Sequence, residues 1–350
     1  MFICLAALAC IVVILHMIRY WEHRDTIRDI FDQIEKWHKT RDEKFVDELS
    51  KEEFGESLPF LYKFCKYFCS AHMFVAFSPF LNLIKPTITT TYAMKFIFVQ
   101  DERLNFWLNF FVQAIGLCYW SLVFYSIVFI FFNIVVNVLS ELKIIAQICR
   151  TIGNLEEKMQ EDHFSEHPSL SNEVLNGIFH NSTKIQDLEK FQKKDAETSK
   201  LLGTIIKYHS NMICLMDQMS SVYAFNVLTW EFIFTLAVVA FYTLSRFSPT
   251  TAINMGPVLT TLSLTYFFVC YVCELMKQRF DDIGVSLYSS KWYLLKPCHR
   301  KDLVTILQLG NKARTLRVGP FGFSGLERFN ETSTFVYRIC VAINNLLVVE

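Results

Sequence analysis

The sequence predicts an all-α fold: a polytopic bundle of transmembrane helices, some of which extend into the cytoplasm. Three observations predict it. The chain is 52% hydrophobic and only 19% charged, against about 25% charged in an ordinary soluble domain, and its mean hydropathy is +0.28. Its apolar residues gather into runs of membrane-crossing length. Its charges gather between those runs, and the lysines and arginines favour one side.

A helix needs about 20 apolar residues to cross a bilayer. Six runs qualify: residues 2–18, 58–84, 106–139, one that starts after Met212 and ends near Leu244, 251–276 and 333–349. The first lacks the basic start and small-residue cleavage site of a secretory signal, so it reads as a retained span. Lys63 and Lys66 interrupt the start of the second. Both can snorkel to the interface, which puts the beginning of that span near Phe64.

Basic residues orient the bundle. Residues 19–57, 140–210 and 277–331 hold eight, nine and ten lysines and arginines, whereas residues 85–105 hold three and the turn around Arg246 holds one. The three rich loops are therefore expected in the cytoplasm, and both chain ends outside. Two glycosylation sequons, at Asn181 and Asn330, fall on the expected cytoplasmic side, and the charge asymmetry outweighs them. This orientation does not fit a G-protein-coupled receptor, which needs a cytoplasmic tail.

Apolar periodicity continues past the membrane. Ile145, Ile148, Ile152, Leu155 and Met159 alternate spacings of three and four, and Leu202, Ile205, His209, Met212, Met216 and Met219 repeat the pattern before the fourth run. Helices three and four are expected to continue into the cytoplasm and pack there. The polar stretch 160–201 between them reads as a mobile connector. Two regions result: residues 1–276, a membrane bundle with helical extensions, and residues 277–350, a cytoplasmic anchor helix followed by the last transmembrane helix.

The search for chemistry excludes more than it finds. There is no phosphate loop, no Gly-x-Ser-x-Gly and no His-Glu-x-x-His, so the chain reads as no enzyme and calls for no cofactor or metal. His163 and His167 stand four apart, but in a Pro- and Ser-containing connector. The cysteines, Cys4, Cys10, Cys118, Cys270 and Cys273 among them, lie mostly in apolar runs and read as small buried hydrophobes. The net charge is zero, which gives no reason to expect a nucleic-acid partner. Glu231 is an acid inside the fourth run, and such residues either serve function or bond a neighbouring helix.

The last run is amphipathic in an informative way. On a helix, Tyr337, Val341, Asn344 and Val348 form one stripe, with Arg338 and Asn345 beside it. Phe335, Ile339, Ile343 and Leu346 form an apolar face opposite. A span with one polar stripe suits a water-lined cavity, or asparagines that bond another helix of the bundle.

The C-terminal order of motifs resembles a known family. Tyr288-Ser289-Ser290-Lys291-Trp292-Tyr293 precedes a leucine-rich helix at 303–309. Lys312 and Arg314 follow, then Gly319-Pro320-Phe321-Gly322-Phe323, then Thr334-Phe335 at the start of the last run. This order is similar to the C-terminal signature of insect odorant receptors. The length and the 34 phenylalanines agree.

The resemblance implies an odorant-gated, non-selective cation channel in the plasma membrane of sensory neurons, a heteromer with a shared co-receptor subunit that binds small volatile odorants. It implies that the last helix lines the pore, with Val348 at an outer hydrophobic constriction, and that cytoplasmic helices hold the subunits together. It implies an apolar odorant pocket in the outer half of the bundle, for which the expected residues are Phe74, Phe77, Phe110, Tyr119, Met255 and Thr260. Two departures stand out. The family has seven spans, and the first run followed by residues 24–28 resembles the family's second span, so the first is expected to be missing. Ile343-Asn344-Asn345 replaces the family's Tyr-Ser-Tyr-like trio, which marks the chain as a ligand-tuning subunit. The alternatives are a secondary transporter, although no inverted repeat is visible, and a G-protein-coupled chemoreceptor.

Overall fold

The computed structural model describes residues 14–39, 101–152, 180–247, 249–310, 316–318 and 324–348, together with residues 11, 59, 63, 66, 67, 70 and 322. At some helical positions, Phe110, Met255 and Val348 among them, only the backbone is described. Among the described residues the fold is helical and no strand forms. Residues 14–22 are helical and lead into α1 (Arg24–Lys39). Then come α2 (Glu102–Thr151), α3 (His180–Phe247), α4 (Pro249–Ser289), a 3-10 turn at Trp292–Leu294, α5 (Pro297–Gly310) and α6 (Leu326–Val348).

Length alone carries these helices beyond a bilayer. At 1.5 Å per residue, the 68 residues of α3 reach about 100 Å and the 50 of α2 about 75 Å. A hydrocarbon core is about 30 Å thick. Three helical stretches are long and apolar enough to cross a membrane among the described residues: Ser126–Thr151, Thr198–Phe247 and Leu259–Ser289. They fall on the third, fourth and fifth runs of the sequence. The runs at 2–18 and 58–84 lie mostly outside the described residues. The last run forms α6, whose described residues alone do not meet that apolar criterion.

The helix ends fix the topology. Arg150 donates to Ser286 Oγ at 3.2 Å, and the Lys291 amide donates to the Ile152 carbonyl at 3.3 Å. The C-terminal ends of α2 and α4 therefore lie together, and both helices pack against α3 running the other way. Asp195, near the start of α3, meets Lys296 and His299 at 2.8 Å each, so the start of α5 is tied to the same end.

The apolar periodicity beyond the membrane runs closes into a core. Ile145, Ile148 and Ile152 of α2 are buried with Leu202, Ile205, Met212, Met216 and Met219 of α3, and with Met276, Phe280 and Ile283 of α4. His209 is fully buried among them, 6.2 Å from the Phe280 ring. Leu155 and Met159 lie outside the described residues. One expectation changes: the connector at 160–201 is shorter than its polarity suggests, because α3 already begins at His180. Residues 184–200 are rich in Lys, Glu, Gln and Asp at spacings of three and four, and long polar side chains sustain an exposed helix as well as a loop. The division at 276/277 falls inside α4, which runs through it as one helix.

A second cluster joins the first described helical residues to the bundle. The Phe131 ring lies 5.0 Å from that of Tyr223, tilted, and 6.1 Å from that of Trp230, edge-on, and Tyr20 meets Tyr223 edge-on at 6.2 Å. Beside them His16 Nδ1 lies 2.6 Å from Asn226 Oδ1, both side chains buried.

Candidate functional site

The site centres on α6, the helix that carries the polar stripe. Its entry is a tight turn. The Val318 amide donates to the Gly322 carbonyl and the Ser324 amide to the Leu316 carbonyl, and Gly322 sits at φ +97°, a conformation that costs any L side chain. Gly322 belongs to the Gly/Phe motif read in the sequence; the motif's other four residues lie outside the described ones. From Leu326 onward, every fourth residue points the same way. Arg328, Thr332, Val336 and Cys340 form the face that meets α3 and α4.

At the α6 start this face makes a polar clamp. Arg328 grips Glu231 of α3 with both ends of its guanidinium, NH2 to Oε1 at 2.8 Å and Nε to Oε2 at 3.2 Å. Thr332 donates to the same Oε1 at 3.0 Å, and its hydroxyl lies 3.3 Å from that of Tyr266 on α4. The two charged side chains are 14% and 24% exposed. An ionised acid in an apolar helix demands a cation and a full set of donors, and these residues supply both. Aromatic packing seals the clamp, with Phe329 lying 5.3 to 6.0 Å from the rings of Phe234, Tyr266 and Phe267. Glu231 thus bonds a neighbouring helix.

A second contact joins the same two helices at their other ends. Arg246, at the end of α3, donates to Asn344 Oδ1 and to the Tyr242 hydroxyl at 3.3 Å, and its guanidinium lies over the Tyr242 ring at 5.6 Å. Glu231 and Arg246 are fifteen residues apart, about 22 Å of helix, and Arg328 and Asn344 are sixteen apart, about 24 Å. The helices therefore run parallel and are tied at two levels. Between the ties lies a groove of about 410 Å³ walled by Phe234, Val238 and Tyr242 of α3 and by Val336, Tyr337, Cys340 and Val341 of α6.

The predicted stripe lies on the flank of α6, about 100° round the helix from the Val336–Cys340 line. Tyr337 is 69% exposed, and Tyr337 and Val341 rim the groove. Asn344 is half-buried under Arg246. The side chain of Val348 lies outside the described residues. On the opposite flank Ile339 and Ile343 are half-buried and Leu346 is exposed. Of the expected pocket residues, Phe74 and Phe77 lie outside the described set, as do the side chains of Phe110 and Met255. Tyr119 is exposed on α2 and donates to Met17 Sδ at 3.2 Å. Thr260 is exposed on α4, with its hydroxyl returned to the Gly256 carbonyl at 2.9 Å. His163 and His167 are outside the described residues too, and no metal-ligating group of three forms among those described. Cys270 and Cys273 are buried free thiols.

Sequence reading passed over Arg246, Arg328, Thr332 and Tyr266. Both arginines counted only as loop charges. The usable signal was Glu231 itself: a buried acid needs a cation, and Arg328 with Thr332 four residues on is a donor pair on one helix face.

A family profile described as 7tm Odorant receptor matches residues 3–337. Among solved structures, the insect olfactory receptor OR5 from Machilis hrabei is similar with a TM-score of 0.71 at 13% identity, over 95% of this chain and 77% of that one. The structure of that receptor in complex with eugenol is similar with a TM-score of 0.65 at 14% identity, over 86% of this chain and 70% of that one. No curated protein sequence matches significantly.

Proposed function

This chain belongs to the seven-transmembrane odorant receptor family, and on that premise we propose that it is the ligand-tuning subunit of an odorant-gated, non-selective cation channel formed with a co-receptor. It is a multi-pass membrane protein and an odorant receptor; its seat in the plasma membrane of sensory neurons is part of the proposal. The observation that carries the channel reading is the polarity of α6. The helix has 23 residues, long enough to span, and one of its flanks carries polar residues. Arg338, Asn345 and Thr334 are exposed on it. A spanning helix of that kind needs an aqueous surface, and a conduction path supplies one. Tyr337, Val341, Asn344 and Val348 form the flank proposed to face it, with Val348 as the apolar constriction that excludes water when closed.

The odorant site is proposed in the outer half of the bundle, from Phe74, Phe77, Phe110, Tyr119, Met255 and Thr260. The similar Machilis receptor has been seen with eugenol, a small, mostly apolar molecule with one phenolic hydroxyl, and a ligand of that chemical class suits this set of aromatic and small polar side chains. Binding favours the open conformation through contacts stronger there than in the closed one.

The test is electrical. The chain is expressed with a co-receptor and challenged with a panel of small volatiles, eugenol included, while membrane current is recorded in nucleotide-free patches. Odorant-evoked cation current that needs both subunits is the expected result. Robust current from this chain alone contradicts the tuning-subunit role, and responses that require guanine nucleotide contradict the channel.

A further inference from the structure

We propose that Arg246 is a positioning residue that latches the outer third of α6 in its resting position, and that the junction of α3 and α4 carries ligand occupancy to it. The inference rests on the channel reading above and adds a named contact to it.

Packing along α6 is uneven. From Phe329 to Cys340 the helix has a buried side chain at every turn, Thr332, Val336 and Cys340. From Val341 to Leu346 none is buried. The groove ends at Val341, and beyond it Arg246 and Asn344 join the outer third of α6 to α3. Tyr242 aims the guanidinium by accepting from it and lying beneath it, which leaves Arg246 pre-set to meet Asn344.

The two ties differ in strength. The inner one is a two-pronged ion pair, largely desolvated, with a hydroxyl donor and three aromatic rings around it. The outer one joins an exposed arginine to a neutral amide. Charge-assisted pairs in low dielectric hold far better than a solvent-competed bond to a neutral group. A tilt of α6 therefore keeps the Glu231–Arg328 tie as its pivot and opens the Arg246–Asn344 tie. The groove leaves room for Tyr337 and Val341 to follow.

The sense of the latch comes from where it puts polarity. Bound to Arg246, the Asn344 amide is turned against α3, which leaves Val341 as its apolar neighbour on the proposed wall of the path. Released, the amide is free to hydrate that wall, and a wetted constriction conducts. Arg246 is also well placed to be told of ligand. α4 begins at Pro249, three residues further along the chain, and Met255 and Thr260 lie on its first three turns. Movement of α4 around an odorant reaches Arg246 through one short junction.

The experiment uses the whole chain expressed with a co-receptor, with surface amounts matched by an epitope tag. Ligand-free current is isolated by replacing external sodium with N-methyl-D-glucamine. Arg246→Gln and Asn344→Ser, whose hydroxyl is polar but too short to reach Arg246, are each expected to raise that current about three- to tenfold, the size of one solvent-competed hydrogen bond. Combining them is expected to add nothing, because they break one contact. Asn344→Asp, which turns the tie into an ion pair, is expected to lower it. Asn344→Ser leaves the arginine charge in place, so its effect cannot come from a changed field at the mouth. If Arg246→Gln fails to reach the surface, Arg246→Lys carries the same expectation at smaller size. Unchanged or reduced ligand-free current in these variants, or additive effects in the pair, overturns the latch while a conducting wild type upholds the channel. A wild-type heteromer with no sodium-dependent current under any odorant overturns the channel reading and the latch with it.

Discussion

The two ends of the bundle obey different rules. At the end where α2 and α4 terminate, apolar side chains are inside: Ile148, Ile152, Ile205, Met212 and Phe280 are all nearly inaccessible. Toward the start of α2 the described apolar side chains are outside. Trp107, Phe111, Ile115 and Tyr119 repeat every four residues as one exposed stripe, with Ile115 67% exposed. Water penalises an exposed apolar surface and lipid does not. The first end is built as a water-soluble helical bundle would be, and the second as a surface that meets hydrocarbon or a ligand. The same contrast repeats along α6, which has a buried side chain at every turn up to Cys340 and, among its described residues, none beyond it.

The largest test of this contrast pairs two truncations of one residue type. Phe280→Ala removes a buried ring from the water-side core and is expected to cost about 3–5 kcal/mol, seen as a collapse of thermal stability in detergent and of surface expression. Phe111→Ala removes an exposed ring and is expected to change stability by less than about 0.5 kcal/mol. Equal costs at both sites would erase the distinction between the two ends.

Breaking the clamp is next in size. Arg328→Ala leaves Glu231, 14% exposed, charged and without its cation; a fully buried pair costs about 3–5 kcal/mol to break this way, and this partly exposed one is expected to cost about 2–3 kcal/mol. Arg328→Gln with Glu231→Gln removes both charges and is expected to recover most of that loss, as read by the yield of monodisperse protein. A single Arg328→Ala as stable as wild type would show that α6 is held by its aromatic packing alone.

The smallest effect is a pH dependence at the water-side end. Lys296 and His299 hold the Asp195 carboxyl below its ordinary 3.8, chiefly through their hydrogen bonds to it. The unfolded carboxyl takes up its proton near 3.8 and the folded one only at lower pH. This contribution is therefore complete above about 3.8 and is lost as pH falls through the folded value. Unfolding temperature measured down an acid series should fall less steeply in Asp195→Asn than in wild type. Parallel curves would mean that α3 and α5 are not coupled through this carboxylate.

Much of this could be read in advance, and the reason is particular to each element. The runs that became α2, α3 and α4 are legible because hydrocarbon solvates only apolar side chains, so a span must declare itself by composition. The extensions are legible at Ile145, Ile148, Ile152 and at Leu202, Ile205, His209, because water restores the need for a one-sided apolar stripe. The start of α3 was not legible, since Lys- and Glu-rich segments are compatible with both a solvated helix and a connector. The polar flank of α6 could be read from spacing, but not the neighbour beside it.

The sequence by itself determined an all-helical membrane bundle, its expected orientation and its family, because hydropathy, basic asymmetry and a motif order are all properties of the chain taken one segment at a time. Only the tertiary structure decided which charges meet. Glu231 and Arg328 are 97 residues apart, and Arg246 and Asn344 are 98 apart. No periodicity connects residues at that distance; they are matched because α3 and α6 run parallel, and nearly equal rises of about 22 and 24 Å bring both pairs into register at once.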